Sequence, residues 1–177
     1  MAVNTTLKTI LTEVQACLER IDEREVRTFL SALGKAKRVF VTGQGRSGLV
    51  GRAFAKRLMH IGFEAYVAGE TTTPAISKGD LLVACSASGA TTTTCAHAET
   101  ARKVGAEVAV LTAAATSRLS ARGHVVVGIP LPSRSAQFST TLFEQACLIL
   151  LDAACLELMK RRKASMSQMQ ARHANLE

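Results

Sequence analysis

The chain has no tryptophan, one tyrosine and three prolines in 177 residues. So few aromatics leave little on which single-stranded bases could stack, and no helix-turn-helix or zinc-finger spacing appears. Nucleic acid is therefore disfavoured as a partner, although 22 basic residues against 14 acidic ones leave a net charge of +8. That surplus suits a small acidic substrate. The cluster Lys160-Arg161-Arg162-Lys163 closes a predicted helix, where it complements the dipole and faces water. No apolar run approaches the roughly 20 residues of a membrane span. Lys8 and Glu13 sit inside an amphipathic pattern, unlike a secretory leader. The five cysteines (Cys17, Cys85, Cys95, Cys147, Cys155) include no Cys-x-x-Cys pair. An odd count without close pairing reads as reduced, buried thiols rather than disulfides or a metal site. The expectation is a soluble, cytoplasmic protein without a membrane partner.

What is present is a globular composition, 47% hydrophobic and 20% charged, sufficient for one domain spanning 1–177. The chain is organised around residues 80 to 94. Leu81 to Cys85 is a short apolar run, read as a buried strand. Ser86-Ala87-Ser88-Gly89-Ala90-Thr91 follows and opens a helix running to about Val104. Free N–H groups at a helix start favour an anion, and the hydroxyls of Ser86, Ser88 and Thr91 add donors. The same residues are also common helix caps.

The rest of the chain repeats the strand–loop–helix theme. A helical pattern covers residues 5 to 33, with a bend near Asp22 and a stop at Gly34. Strand one is 38–42; it runs into Gly43-Gln44-Gly45-Arg46-Ser47-Gly48 and a helix that stops at Gly62. Strand two is 64–67, strand four 107–112 and strand five 125–129. A short helix spans about 117–122, and a last long one runs from about Thr141 to Lys163. Continuous apolar strands alternating with helices imply a parallel sheet covered on both faces. The fold class is thus α/β, a three-layer sandwich with a five-stranded parallel sheet in flavodoxin-like order 2-1-3-4-5. Both Gly/Ser loops would meet at the switch point where such sheets bind ligands.

Gly43-Gln44-Gly45-Arg46-Ser47-Gly48 also matches the GxGxxG dinucleotide fingerprint, and Glu70 lies 22 residues beyond Gly48, near the place of a ribose-binding acid. Against a nicotinamide site stand the cation and hydroxyl inside the turn and the second anion loop. No GxxxxGK[ST] occurs, which removes a P-loop nucleotidase.

Two such loops on this scaffold resemble the sugar isomerase (SIS) domain family and, within it, the 6-phospho-3-hexuloisomerases. The resemblance rests on Gly45-Arg46-Ser47-Gly48, Arg57-Leu58-Met59-His60-Ile61-Gly62, Gly69-Glu70-Thr71-Thr72-Thr73-Pro74, Ser86 to Thr91, Leu142-Phe143-Glu144-Gln145 and Arg172-His173-Ala174-Asn175-Leu176-Glu177. Two stretches depart from the family. Its frequent Ser-Gly-Ser-Gly is Ser86-Ala87-Ser88-Gly89 here, acceptable if Ala87 is not at positive φ. Its frequent Gln-Pro-Met-Gly is Gln137-Phe138-Ser139-Thr140.

The resemblance implies isomerisation of D-arabino-3-hexulose 6-phosphate to fructose 6-phosphate in the ribulose monophosphate pathway of formaldehyde fixation. It implies a sugar phosphate partner and a homotetramer. A non-catalytic phosphosugar sensor and an arabinose 5-phosphate isomerase are the alternatives. Moving a carbonyl from C3 to C2 through an enediol needs a base and an acid, with no cofactor and no metal. Gly45, Arg46, Ser47, Ser86, Ser88, Gly89 and Thr91 are the expected phosphate-binding residues, with Glu70 and Thr71 along the sugar hydroxyls. Glu144, opening the last helix, is the expected base. His173, docking from the tail into a cleft, is its expected partner, with His60 as competitor. His97 and His124 are expected at the surface.

Overall fold

The computed structural model describes residues 2–138 and 140–176. Five parallel strands, β1 (Val39–Thr42), β2 (Ala65–Val67), β3 (Leu81–Cys85), β4 (Glu107–Thr112) and β5 (Val125–Gly128), form one sheet in the order β2-β1-β3-β4-β5. Val39 is in register with Leu81, and Leu81 with Glu107. Consecutive strand residues point to opposite faces. Here both sets are apolar: Val39, Val41, Leu81, Val83, Ala109 and Leu111 join one core, while Phe40, Leu82, Ala84, Val108 and Val110 join the other. Neither face could stand in water, so helices cover both. α1 (Val3–Leu18), α2 (Glu23–Lys35), α3 (Gly45–Ile61) and α5 (Thr141–Arg162) lie over the first, α4 (Thr92–Lys103) and a 3₁₀ turn (Ser120–Arg122) over the second.

Several boundaries differ from the sequence expectation. The single bent helix is two helices, because Asp22 caps α2 by accepting from Arg24 N (2.7 Å). α2 runs through Gly34 to Lys35 rather than stopping there. Buried Phe29, Leu30, Ala32 and Leu33 outweigh the modest helix penalty of one glycine. The tail holds a further helix, α6 (Met166–Ala171), nucleated by a capping box in which Ser165 and Gln168 satisfy each other's backbone N–H groups. By contrast, Gly62 ends α3 as expected, at φ +91.

The N-terminal edge of the sheet is tied by an ion pair. Arg38 Nη2 and Nε donate to Asp80 Oδ2 (2.6 Å) and Oδ1 (3.1 Å), and Ser77 N also donates to Oδ2 (2.8 Å). Burial works against the charged Asp80, but the Arg38 and Ser77 hydrogen bonds together hold its carboxyl below the usual range.

Candidate active site

The C-terminal ends of β1 and β3 diverge toward helices on opposite faces, which opens a crevice between their loops. On the β1 side the chain turns through Gly43 and Gln44 into α3. A side chain on Gly48 would come 2.7 Å from the Gly43 carbonyl oxygen, so only glycine lets the helix start this close to its loop. On the β3 side Ser86, Ala87 and Ser88 lead to Gly89 at φ +60, where a Cβ would sit 2.1 Å from Ser117 Oγ. Ala87, buried, is not at positive φ, a region that among described non-glycine residues holds Lys163 alone. The alanine therefore costs the loop nothing. Ser86 Oγ and Thr91 Oγ1 are 3.0 Å apart, and Thr91 takes the N-cap position of α4. Hydroxyls and the start of α4 thus face one spot, suited to an anion.

The third wall is the start of α5. Glu144 lies in its first turn and is buried, with 7% of its side chain exposed. Arg46 Nε, from α3, donates to Glu144 Oε2, and Thr140 Oγ1 donates to Oε1 (3.3 Å). A cavity of about 290 Å³ is lined by Gly45, Arg46, Ser47, Ser86, Ser88, Thr91, Thr140 and Glu144. A six-carbon sugar phosphate is of that size class. Behind the cavity Cys147 pairs with Cys85. That hydrogen bond, then burial, pushes the Cys147 thiol well up, so it stays protonated and is no nucleophile.

The other expected residues fall elsewhere. Gly89 shapes the loop from beneath. Glu70 and Thr71 stand beyond β2, and Glu70 pairs with Arg52 rather than facing Glu144. Thr71 is exposed on the same loop. His60 closes α3 at the opposite end of the strands, where it is buried and its ring stacks on that of His173, 5.2 Å away. Arg172 Nη1 donates to the His60 carbonyl (3.3 Å), fixing the tail there. Arg46, which touches Glu144, and His60 are 14 residues apart on α3, a rise of about 21 Å, so this pair lies far from Glu144 of the same chain.

One residue that sequence reasoning set aside is not simply at the surface. His97 is half-buried, with Nδ1 2.8 Å from Thr42 Oγ1, and lines a second cavity of about 380 Å³ with Gly43, Gly48, Arg52 and Gly69. The signal was available: His97 neighbours Ala98 on a helix whose buried face is Thr94, Cys95, Ala98 and Ala101. Thr140, which holds Glu144, carried no such signal.

A parallel sheet with a hydroxyl-lined loop, a helix start and a buried carboxylate at its switch point is the class of α/β protein suited to a small anionic ligand. The chain belongs to the SIS domain family, whose model matches residues 32–156. It is similar over almost its whole length to 3-hexulose-6-phosphate isomerase of Mycobacterium gastri: 38% identity, covering 99% of this chain and 92% of that protein. The enzyme of the same name from Bacillus subtilis is 33% identical, covering 95% of each. Among solved structures, a hypothetical protein from Methanococcus jannaschii superposes with a TM-score of 0.88. It shares 31% identity over 98% of this chain and 99% of that one, and a 3-hexulose-6-phosphate isomerase function was inferred for it.

Proposed function

We propose that this protein interconverts D-arabino-3-hexulose 6-phosphate and fructose 6-phosphate. The observation that carries the reading is the placement of Glu144 and the hydroxyl-lined β3 loop in one cavity. Similarity to isomerases along nearly the full chain supports it. Ser47, Ser86, Ser88 and Thr91 hold the 6-phosphate, and binding at that remote end orients the reacting carbons. Glu144 removes the C2 proton of the 3-ketose, giving an enediol, and a proton returns at C3 as the carbonyl moves to C2.

The partner acid completes the scheme from a neighbouring copy. His60 and His173 stand too far from Glu144 in one chain to touch the same sugar, whereas a second subunit can bring its own pair to the cleft. An outward apolar stripe on α1, Val3, Leu7 and Leu11 (74%, 51% and 66% exposed), and Leu148, Ile149 and Leu156 on α5 supply surface for a homo-oligomer, read as a tetramer. Among the described residues no helix is long and apolar enough to cross a membrane. Cytoplasmic location and one catalytic unit across 1–177 belong to the same reading.

The test is fructose 6-phosphate formation from hexulose 6-phosphate made in situ by a separate synthase. Turnover in the wild type, lost in Glu144→Gln while phosphosugar binding persists, is the expected result. Binding without turnover in the wild type would leave a sensor instead. Mixing Glu144→Gln with His173→Ala subunits should restore part of the activity if sites are shared. Failure to do so places the acid elsewhere.

A further inference from the structure

We propose that Arg46 is a positioning residue that occupies Glu144 in the free protein and passes to the substrate's phosphate on binding, so that the base is released only in the loaded site. This rests on the isomerase reading above.

Both oxygens of Glu144 are engaged: Oε2 by Arg46 Nε and Oε1 by Thr140 Oγ1. A carboxylate that is to take a proton from carbon needs an oxygen turned toward that carbon. The two partners are unequal in mobility. The Glu144 side chain is 7% exposed and fixed in the first turn of α5, whereas that of Arg46 is 62% exposed and reaches in from α3. The guanidinium can therefore swing away while the carboxylate stays.

The anion it would swing to is bound in the same cavity. Arg46 lines it together with Ser47, Ser86, Ser88 and Thr91, and is the one cationic side chain among its described lining residues. A phosphate dianion carries about twice the charge of a carboxylate and accepts the guanidinium fork in bidentate fashion. Once phosphate sits on the β3 loop, it competes directly for Arg46. Two features of the chemistry follow. Sugars lacking the phosphate meet an occupied base, so the device discriminates by turnover. The exchange is also reciprocal, since a phosphate that must draw Arg46 from Glu144 binds less tightly than the cradle alone would allow.

The experiment separates the phosphate from the reacting carbons. Solvent deuterium incorporation next to the carbonyl of an unphosphorylated ketose is followed by NMR, with and without added phosphite dianion. In the wild type, phosphite should accelerate incorporation roughly tenfold, the factor for one modest interaction removed from the barrier. In Arg46→Met, incorporation without phosphite should already match the phosphite-activated wild type, and phosphite should change it less than about twofold. Glu144→Gln should abolish incorporation in every arm. A residue that only grips phosphate would leave the ketose reaction without phosphite unchanged in Arg46→Met. A residue that only supports the fold would lower it. Either result overturns the proposal, as does a wild type that phosphite fails to activate. Equal thermal midpoints show that the variant is folded, which the exposure of Arg46 leads one to expect. Wild-type turnover of the phosphorylated hexulose tests the isomerase reading separately, so the two can fail independently.

Discussion

Two arginine–carboxylate pairs sit at opposite ends of the strands of the same sheet. Arg38–Asp80 and Arg46–Glu144 share a pattern: an acid with 1% or 7% of its side chain exposed, and an arginine exposed at 24% or 62%. Their surroundings differ. Asp80 receives Arg38 twice, Ser77 N and Ser77 Oγ, four bonds that fill both oxygens of a side chain only 1% exposed. Glu144 receives Arg46 and Thr140 and otherwise faces a cavity. A buried charge whose acceptor sites are filled by fixed neighbours holds a fold together, whereas one whose partner can swing out into open space can be freed for chemistry.

Substituting the two acids should sharpen that contrast most. Glu144→Gln is expected to lower kcat by about 10³, within the range for loss of a general base, while the thermal midpoint stays level or rises. Asp80→Ala should do the reverse. It removes the charge partner of Arg38 and the acceptor of two Ser77 donors, costing about 3 kcal/mol in denaturant unfolding with kcat preserved in the folded fraction. If both substitutions destabilise equally, the comparison fails.

Gly89→Ala tests whether the site edge owes its openness to backbone geometry. The new Cβ meets Ser117 and requires a left-handed φ, which costs at least about 1–2 kcal/mol. Phosphosugar affinity should fall more than tenfold, as the β3 loop is displaced. Unchanged affinity in a calorimetric titration would show that the loop is not the cradle.

Acid sharpens the contrast at the Asp80 end. Asp80 has a folded-state pKa below its ordinary value of 3.8. Its stabilising contribution is therefore complete above about pH 4 and is lost as pH falls through the lower folded value. Thermal midpoints of wild type should drop across that window, and those of Asp80→Asn should drop less. The smallest effect is expected at Glu13, which lies between the two types. From α1 it accepts from Ala136 N (2.7 Å), Ser135 Oγ (2.8 Å) and Gln137 Nε2 (3.1 Å), pinning the loop ahead of α5. The Ala136 backbone bond, then those of Gln137 and Ser135, hold its carboxyl below the usual range. Glu13→Gln should cost about 1 kcal/mol, read by chemical denaturation.

Much of this was legible in one dimension. The strands announced themselves because both faces of the sheet are buried, making each a continuous apolar run. The two anion loops did so because small and hydroxyl residues cluster between a strand and a helix. Glu144 stood out by its place in the first turn of the last long helix, α5. The capping box of α6 is equally local, Ser165 and Gln168 standing three residues apart, but the segment is too short and polar to carry an apolar period.

What needed the tertiary structure is every pairing between residues remote in the chain. Arg46 and Glu144 are 98 positions apart, and nothing local to either predicts that the guanidinium lands on the carboxylate. Thr42 and His97, 55 apart, meet only because β1 and α4 flank the same edge of the crevice. The stacking of His60 on His173 sends the expected acid to the far end of the strands, since α5 carries the chain away from Glu144 before α6 folds the tail against α3. Patterning along the chain determines which segments are buried, because burial follows a local period of apolar residues. Which charged groups meet is decided by how those segments pack, because electrostatic partners are chosen by distance in space.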